Sequence, residues 1–148
     1  MNTATQPHDD RSQVLALLDT WVKGFLAKDV ASVVSTYAED IVAFDAIQQL
    51  QFKGRAAYQA HWEMCMAMCP GAPSYEVREQ RIDIGGDLAI VHYLGYCGGT
   101  DAKGNPQGCW SRVTQGFRKT NGRWAIVHEH FSFPVDIESG KAIFDAQP

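Results

Sequence analysis

Three side chains that could move protons stand out in the sequence. His128 and His130 are two residues apart in a largely apolar run, and Asp45 ends a short apolar run in the first half of the chain. Residues two apart in a strand point to the same side and lie about 7 Å apart. A carboxylate and an imidazole in one apolar cleft can act as general base and general acid. We therefore predict an acid–base site of Asp45, His130 and His128; the alternative is that the imidazoles only satisfy hydrogen bonds at the end of their strand.

A His-x-His pattern on a strand is also used by metal sites. Glu129 lies between the two histidines, so strict alternation places its carboxylate on the opposite face of the strand. Asp45 could supply a carboxylate ligand, no third histidine at a regular spacing completes the set, and His92, on a neighbouring predicted strand, could still add an imidazole. We therefore predict no metal and no cofactor, and keep a metal-assisted lyase as the weaker alternative.

Aromatic residues are more numerous than a core of this size needs, so we expect some of them to line a cavity. The aromatic candidates for contact with a ligand are Trp21, Tyr58, Trp62 and Trp110. Arg112 follows in the same predicted strand as Trp110 and could hold a carboxylate or an enolate at two points. The alternatives are plain core packing for the aromatic rings and an ion pair with Glu79 or Asp83 for the arginine.

Composition limits the class of protein. The chain has 148 residues, of which 45% are hydrophobic and 20% charged, as expected for one globular domain over residues 1–148. The formal net charge is −4 and the basic residues are scattered, which argues against nucleic-acid and membrane partners. The polar N-terminus predicts no signal peptide. Four cysteines are interpreted as free thiols, which predicts a cytoplasmic location.

The first half of the chain shows helical periodicity. A capping box at Asp10 is predicted to start a long first helix. Asp29 is predicted to cap a short second helix that runs through Tyr37, and Gly54 to precede a third helix. These three helices supply one apolar layer.

From residue 75 onward the apolar period changes to two, which predicts strands at about 75–84, 88–97, 108–119 and 123–133. Helices followed by successive antiparallel strands predict an α+β fold, a cone-shaped curved antiparallel sheet wrapped over three N-terminal helices. In the last strand, alternation puts Trp124 and Ile126 on the same face as His128. Because both faces of that strand are largely apolar, we predict helices on one face and a homodimer partner on the other.

Two segments resemble a known family: YAEDIVAFDAIQQLQFKG, from Tyr37 to Gly54, and WSRVTQGFRKTNGRWAIVHEHFSFPVD, from Trp110 to Asp136. They resemble the nuclear-transport-factor-like superfamily, which includes ketosteroid isomerase, SnoaL-like polyketide cyclases and the association domain of calmodulin-dependent kinases. The resemblance covers nearly the whole chain. It implies a cone of helices against a bent sheet, a pocket at the open end and, commonly, a dimer.

The resemblance also bears on chemistry. Asp45 stands nine residues before Gly54, which resembles the placement of the proton-shuttling aspartate in ketosteroid isomerase. Where that enzyme has tyrosine and a protonated aspartate in its oxyanion hole, this chain offers Trp21, Trp62 and Gln115, which argues against steroid isomerisation. The predicted function is a small-molecule pocket, either a cyclase, isomerase or dehydratase for a small ring or carbonyl compound, or a ligand-binding or dimer-assembly domain without chemistry.

Overall fold

A computed structural model describes residues 7–148 of the chain, with side chains from Asp9 onward. Residues 1–6, which carry most of the expectation about a signal peptide, lie outside the described part. The helices are α1 (Pro7–Leu26), α2 (Val30–Ser35) and α3 (Arg55–Met68). The strands are β1 (Tyr37–Phe44), β2 (Phe52–Lys53), β3 (Ser74–Gly85), β4 (Leu88–Thr100), β5 (Pro106–Thr120) and β6 (Arg123–Ser132).

One curved six-stranded sheet holds all the strands in the order β2-β1-β6-β5-β4-β3. Every neighbouring pair is antiparallel except β1 with β6, which run parallel. The helices cover one face: α1 packs on β3 and β6, and α3 packs on β1 and β2. The predicted α+β class and curved sheet over three N-terminal helices are confirmed. We call the face under the helices the inner face and the opposite one the outer face.

The predicted helix starts are correct at two of three places. Asp29 caps α2, since its carboxylate accepts hydrogen bonds from the Ser32 amide at 3.2 Å and the Ser32 hydroxyl at 2.6 Å. Gly54 precedes α3 with φ +90°, a conformation that favours glycine. The second helix is shorter than predicted, because Tyr37 already belongs to β1.

The capping box at Asp10 is wrong, because α1 is already helical from Pro7. The Asp10 carboxylate instead accepts hydrogen bonds from the Trp124 indole and the Lys119 ammonium, both at 3.0 Å. These contacts join the first turns of α1 to the paired ends of β5 and β6.

An extra residue interrupts β6. On the neighbouring strand β5, Phe117 pairs with Ile126 of β6 and the preceding Gly116 pairs with His128. Val127 of β6 therefore has no partner on β5. A bulge of this kind shifts the alternation of all later residues by one position.

The bulge changes which side chains of β6 reach the inner face. Trp124 and Ile126 are buried before it, and Glu129 is fully buried after it. The strict alternation predicted for β6 is therefore wrong beyond residue 126. His128 and His130 lie on the outer face, and Glu129 lies under the helices.

Within residues 7–148, no helix combines the length and the apolar character needed to cross a membrane.

Candidate functional site

A cavity of about 620 Å³ opens on the inner face, between α1, α3 and the ends of β4, β5 and β6. We call it the inner cavity. Its apolar walls include Trp21, Phe25, Trp62, Tyr75, Phe131 and Phe144. The carboxylate of Asp45 and the imidazole of His61 supply polar groups in the wall, and none of the described lining residues is a lysine or an arginine.

Asp45 and His61 form a close pair in this wall. Asp45 directly follows β1, and His61 lies in the second turn of α3. The His61 Nε2 atom is 3.4 Å from the Asp45 Oδ2 atom, and the two side chains are 3% and 12% exposed. The Phe52 ring packs 4.2 Å from the imidazole, centre to centre. A carboxylate and an imidazole held together and largely shielded from water can exchange protons with a bound molecule.

Sequence reasoning missed His61 because it stands among apolar residues at helical spacing, which is typical of a core position. Its one distinguishing signal was the position itself, seven residues after Gly54 and close in sequence to Asp45.

Tyr58 lies behind Asp45 rather than on the cavity wall. Its hydroxyl oxygen is 3.1 Å from Asp45 Oδ2 and 2.9 Å from Glu129 Oε2. The side chain is fully buried. A hydroxyl has one proton to donate, so at any moment Tyr58 donates to only one of these carboxyl groups.

Glu129 is a fully buried carboxyl group behind the cavity. Its Oε2 atom accepts hydrogen bonds from Tyr37 at 2.7 Å and Tyr58 at 2.9 Å, and its Oε1 atom from the Gln115 amide at 2.6 Å. Burial raises the pKa of Glu129 to about 7, although the three donors pull the pKa down. Glu129 was not identified as a site residue from the sequence, because strict alternation assigned its side chain to the face away from the site.

The Tyr37 hydroxyl oxygen accepts hydrogen bonds from two indole N–H groups. Trp21 and Trp62 both donate to its oxygen, at 2.8 and 3.1 Å, and the hydroxyl donates in turn to Glu129. The rings of both tryptophans line the inner cavity. Because these indole N–H groups, and the amide N–H of Gln115, already have buried acceptors, they are not free to donate to the oxygen of a bound molecule.

The two predicted catalytic histidines are on the wrong side of the sheet for this cavity. The His128 Nδ1 atom is 2.7 Å from the backbone oxygen of Val42. The Phe44 ring packs edge-on against both His128 and His130, with centroid distances of 4.8 and 5.5 Å. The predicted convergence of these imidazoles with Asp45 is therefore wrong, and the cause is the extra residue in β6.

Trp110 and Arg112 also lie on the outer face. Ser111, between them, lines the inner cavity, so its neighbours in β5 point the other way. The guanidinium of Arg78 stacks on the Trp110 ring at 4.9 Å, and Arg112 Nε donates to the Ser132 hydroxyl at 3.1 Å. The expectation that these two residues contact a ligand beside Asp45 is wrong. Arg112 instead lines a second hollow of about 500 Å³ on the outer face.

All four cysteines line the inner cavity as free thiols: Cys65, Cys69, Cys97 and Cys109. Burial raises the pKa of Cys97 to about 12 and that of Cys65 to about 11, so both are protonated near neutral pH. Among the described residues, no three histidine, cysteine or acidic side chains are grouped as metal ligands.

The fold and the cavity together define a class of proteins in which a bent sheet and the helices packed on it enclose a pocket. Residues 14–136 match the SnoaL-like domain family, and the chain belongs to this family. The comparison with curated proteins gave no match.

Solved structures with the same fold include an NTF2-like protein of unknown function from Pseudomonas putida. It is 42% identical with a TM-score of 0.89, over 97% of this chain and 100% of that one. A provisionally named calcium/calmodulin-dependent protein kinase II association domain from Xanthomonas campestris is 22% identical, with a TM-score of 0.73, over 99% and 97%. A provisionally named dehydratase of the NTF2-like family from Streptomyces avermitilis is 18% identical, with a TM-score of 0.76, over 88% and 99%.

Proposed function

We propose that the protein is a proton-transfer enzyme of the cyclase, isomerase or dehydratase type, with Asp45 as its base and His61 as its acid. The observation that carries this proposal is the 3.4 Å contact between the two side chains in the wall of the inner cavity. The pairing of an aspartate with a histidine was expected from the sequence. The histidine of the proposed pair is His61 in α3, and not one of the two histidines on the outer face.

The cavity favours a neutral substrate. Its volume of about 620 Å³ is in the range of pockets that enclose small organic molecules. Arg112, the expected anchor for a carboxylate, lies on the other face, and the charged side chains in the described lining are the acidic Asp45 and Asp101. An anionic ligand would be repelled there, so we propose a neutral compound with a ring or a carbonyl group.

Elimination of water suits the pair better than isomerisation through a long-lived enolate. Asp45 would remove a proton from the carbon beside the substrate carbonyl, and His61 would protonate the departing hydroxyl group. The C–H and C–O bonds break, a C=C bond forms, and water leaves. An enolate needs strong donors near its oxygen, and the indole N–H groups are already engaged by Tyr37. The name of the Streptomyces relative agrees with this choice.

Loss of water from simple β-hydroxy ketones tests the proposal without knowledge of the natural substrate. A set of cyclic and acyclic β-hydroxy ketones is incubated with the protein, and formation of the α,β-unsaturated ketone is measured by NMR. We expect catalysed dehydration of at least one of these compounds, and a loss of at least about 100-fold in Asp45→Asn. Binding of these ketones without dehydration would contradict the proposal and favour the alternative, a ligand-binding domain without chemistry.

We also propose that the outer face joins two copies of the chain in a homodimer. This face carries Ile90, 47% exposed, Phe44, 38% exposed, and the rings of Trp110 and Tyr96, which pack together 5.4 Å apart. Apolar area of this kind is unfavourable in water. The resemblance to a superfamily in which dimers are common supports the choice of a second copy as the partner.

The free state of the four thiols supports a cytoplasmic location.

A further inference from the structure

We propose that Asp45 and Glu129 share one proton through the Tyr58 hydroxyl, so that the buried Glu129 acts as a proton store for the carboxylate in the cavity. This inference rests on the proposed role of Asp45 as the base. It adds a second carboxyl group, 84 residues away in sequence and separated from the cavity by a tyrosine.

The geometry of the hydrogen bonds supports the bridge. The Tyr58 oxygen lies within hydrogen-bond distance of both carboxyl groups, at 3.1 Å from Asp45 Oδ2 and 2.9 Å from Glu129 Oε2. Because both tryptophan N–H groups donate to Tyr37, the Tyr37 proton is directed to Glu129. Tyr58 is therefore the group that can change its acceptor.

Two arrangements of the same protons are possible. In the first, protonated Asp45 donates to the Tyr58 oxygen and Tyr58 donates to ionised Glu129. In the second, protonated Glu129 donates to the Tyr58 oxygen and Tyr58 donates to ionised Asp45. Moving from the first to the second breaks the Asp45 O–H bond and the Tyr58 O–H bond, and forms a new O–H bond on each of Tyr58 and Glu129. Asp45 loses one proton, Glu129 gains one, and Tyr58 is unchanged.

The electrostatic surroundings fit a shared proton. Burial, followed by the nearby Glu129 charge, raises the pKa of Tyr58 well above its usual range, so the tyrosine stays neutral and passes protons without holding a charge. Burial and the Asp45 charge both raise the pKa of Glu129. The other titratable groups that face Glu129 are Tyr37 of β1, Tyr75 of β3 and Tyr93 of β4, all of which are neutral near pH 7.

The bridge would let Asp45 pass the proton it takes from a substrate to Glu129, and so return to its basic form while the product is still bound. Tyr58 is a positioning and relay residue in this account, and Glu129 is a proton acceptor that does not touch the substrate.

Infrared difference titration of Glu129 tests the bridge independently of any activity. The C=O stretch of its protonated carboxyl group is assigned by its loss in Glu129→Gln, and its midpoint is followed in the full-length protein. We expect Asp45→Asn to lower the pKa of Glu129 by about one unit, and by no more than about a third of that when Tyr58→Phe is also present. Tyr37→Phe is the matched control, because it removes one hydrogen bond to Glu129 and leaves the bridge in place. There the full effect of Asp45→Asn should remain.

An equal effect of Asp45→Asn with and without the Tyr58 hydroxyl would overturn the inference. If Tyr58→Phe does not fold, ¹³C NMR of the carboxyl groups in the unmodified protein decides: the carboxyl signal of Asp45 should move as Glu129 takes up its proton, and a change in the Glu129 signal alone would overturn the inference. Absence of dehydration of the β-hydroxy ketones with a positive titration would contradict the proposed enzyme and leave the shared proton in place.

Discussion

The His61 Nε2 atom lies 3.4 Å from the Asp45 Oδ2 atom, and this contact joins the end of β1 to α3 at the wall of the inner cavity. The two residues are 16 positions apart in the sequence, and no regular spacing links them. Their meeting depends on the loop after β1, which brings the chain back through β2 to the start of α3.

Glu129→Gln should change how stability depends on pH. The pKa of Glu129 is raised in the folded protein to about 7 from its usual value of 4.5, so folding favours the protonated form. The stabilising contribution is complete below about pH 4.5 and is lost as the pH rises through about 7. Relative to the variant, the wild type should therefore lose on the order of 3 kcal/mol over this range.

Urea unfolding at several pH values between about 4.5 and 8 measures this difference. Glu39→Gln, at an exposed carboxyl group, is the control and should run parallel to the wild type. Parallel curves for Glu129→Gln and the wild type would show that Glu129 is not held in a desolvated site.

Tyr37→Phe should destabilise the protein by about 3 kcal/mol. The substitution leaves the indole N–H groups of Trp21 and Trp62 without their acceptor and removes a donor to Glu129. Unfolding in urea gives the value. Tyr96→Phe, on the outer face, removes a hydroxyl group outside this network and should cost less than about 0.5 kcal/mol. Similar losses for the two variants would argue against the network.

Ile90→Lys should convert the proposed dimer into a monomer. The side chain is 47% exposed at the outer face, and a charge there would be buried without a partner in a dimer. Sedimentation velocity reports the mass directly. Ile137→Lys is the control, since Ile137 is 94% exposed in the segment after β6 and should leave the dimer intact. A wild-type protein that sediments as a monomer would contradict the proposed homodimer.

Cys97 should react slowly with iodoacetamide at neutral pH. Its pKa is raised by burial to about 12, and the thiolate is the reactive form, so the rate should climb about tenfold for each pH unit between about 7 and 9. Peptide mass spectrometry measures the rate at this site. A bound ketone should slow the reaction further, because the thiol lines the inner cavity. A fast, pH-independent reaction would mean that the pKa of the Cys97 thiol is not raised.

The sequence was informative where local chemistry decides the structure. The Asp29 cap, the glycine before α3 and the change from helical to strand period all have local causes, and each is present in the structure. Asp45 at the end of the first strand and the tryptophan rings of the cavity were also identified from residue type and position.

The rest of the site depends on one residue that periodicity does not reveal. Val127 is an ordinary strand residue, yet its insertion turns His128 and His130 outward and Glu129 inward. His61 was not identified for a different reason: on a helix, a buried histidine in a cavity wall and a buried core residue occupy the same kind of position. Pairing across the sheet, rather than the pattern within the strand, decides which side chains of β6 face the helices.

Matched substitutions of two histidines test most directly whether the acid is His61. The rate of dehydration of the β-hydroxy ketone is measured for His61→Gln and for His130→Gln under the conditions used for the wild type. We expect a loss of at least about 100-fold for His61→Gln and an unchanged rate for His130→Gln. A loss in His130→Gln with normal dehydration in His61→Gln would place the site on the outer face and contradict the proposed Asp45–His61 site.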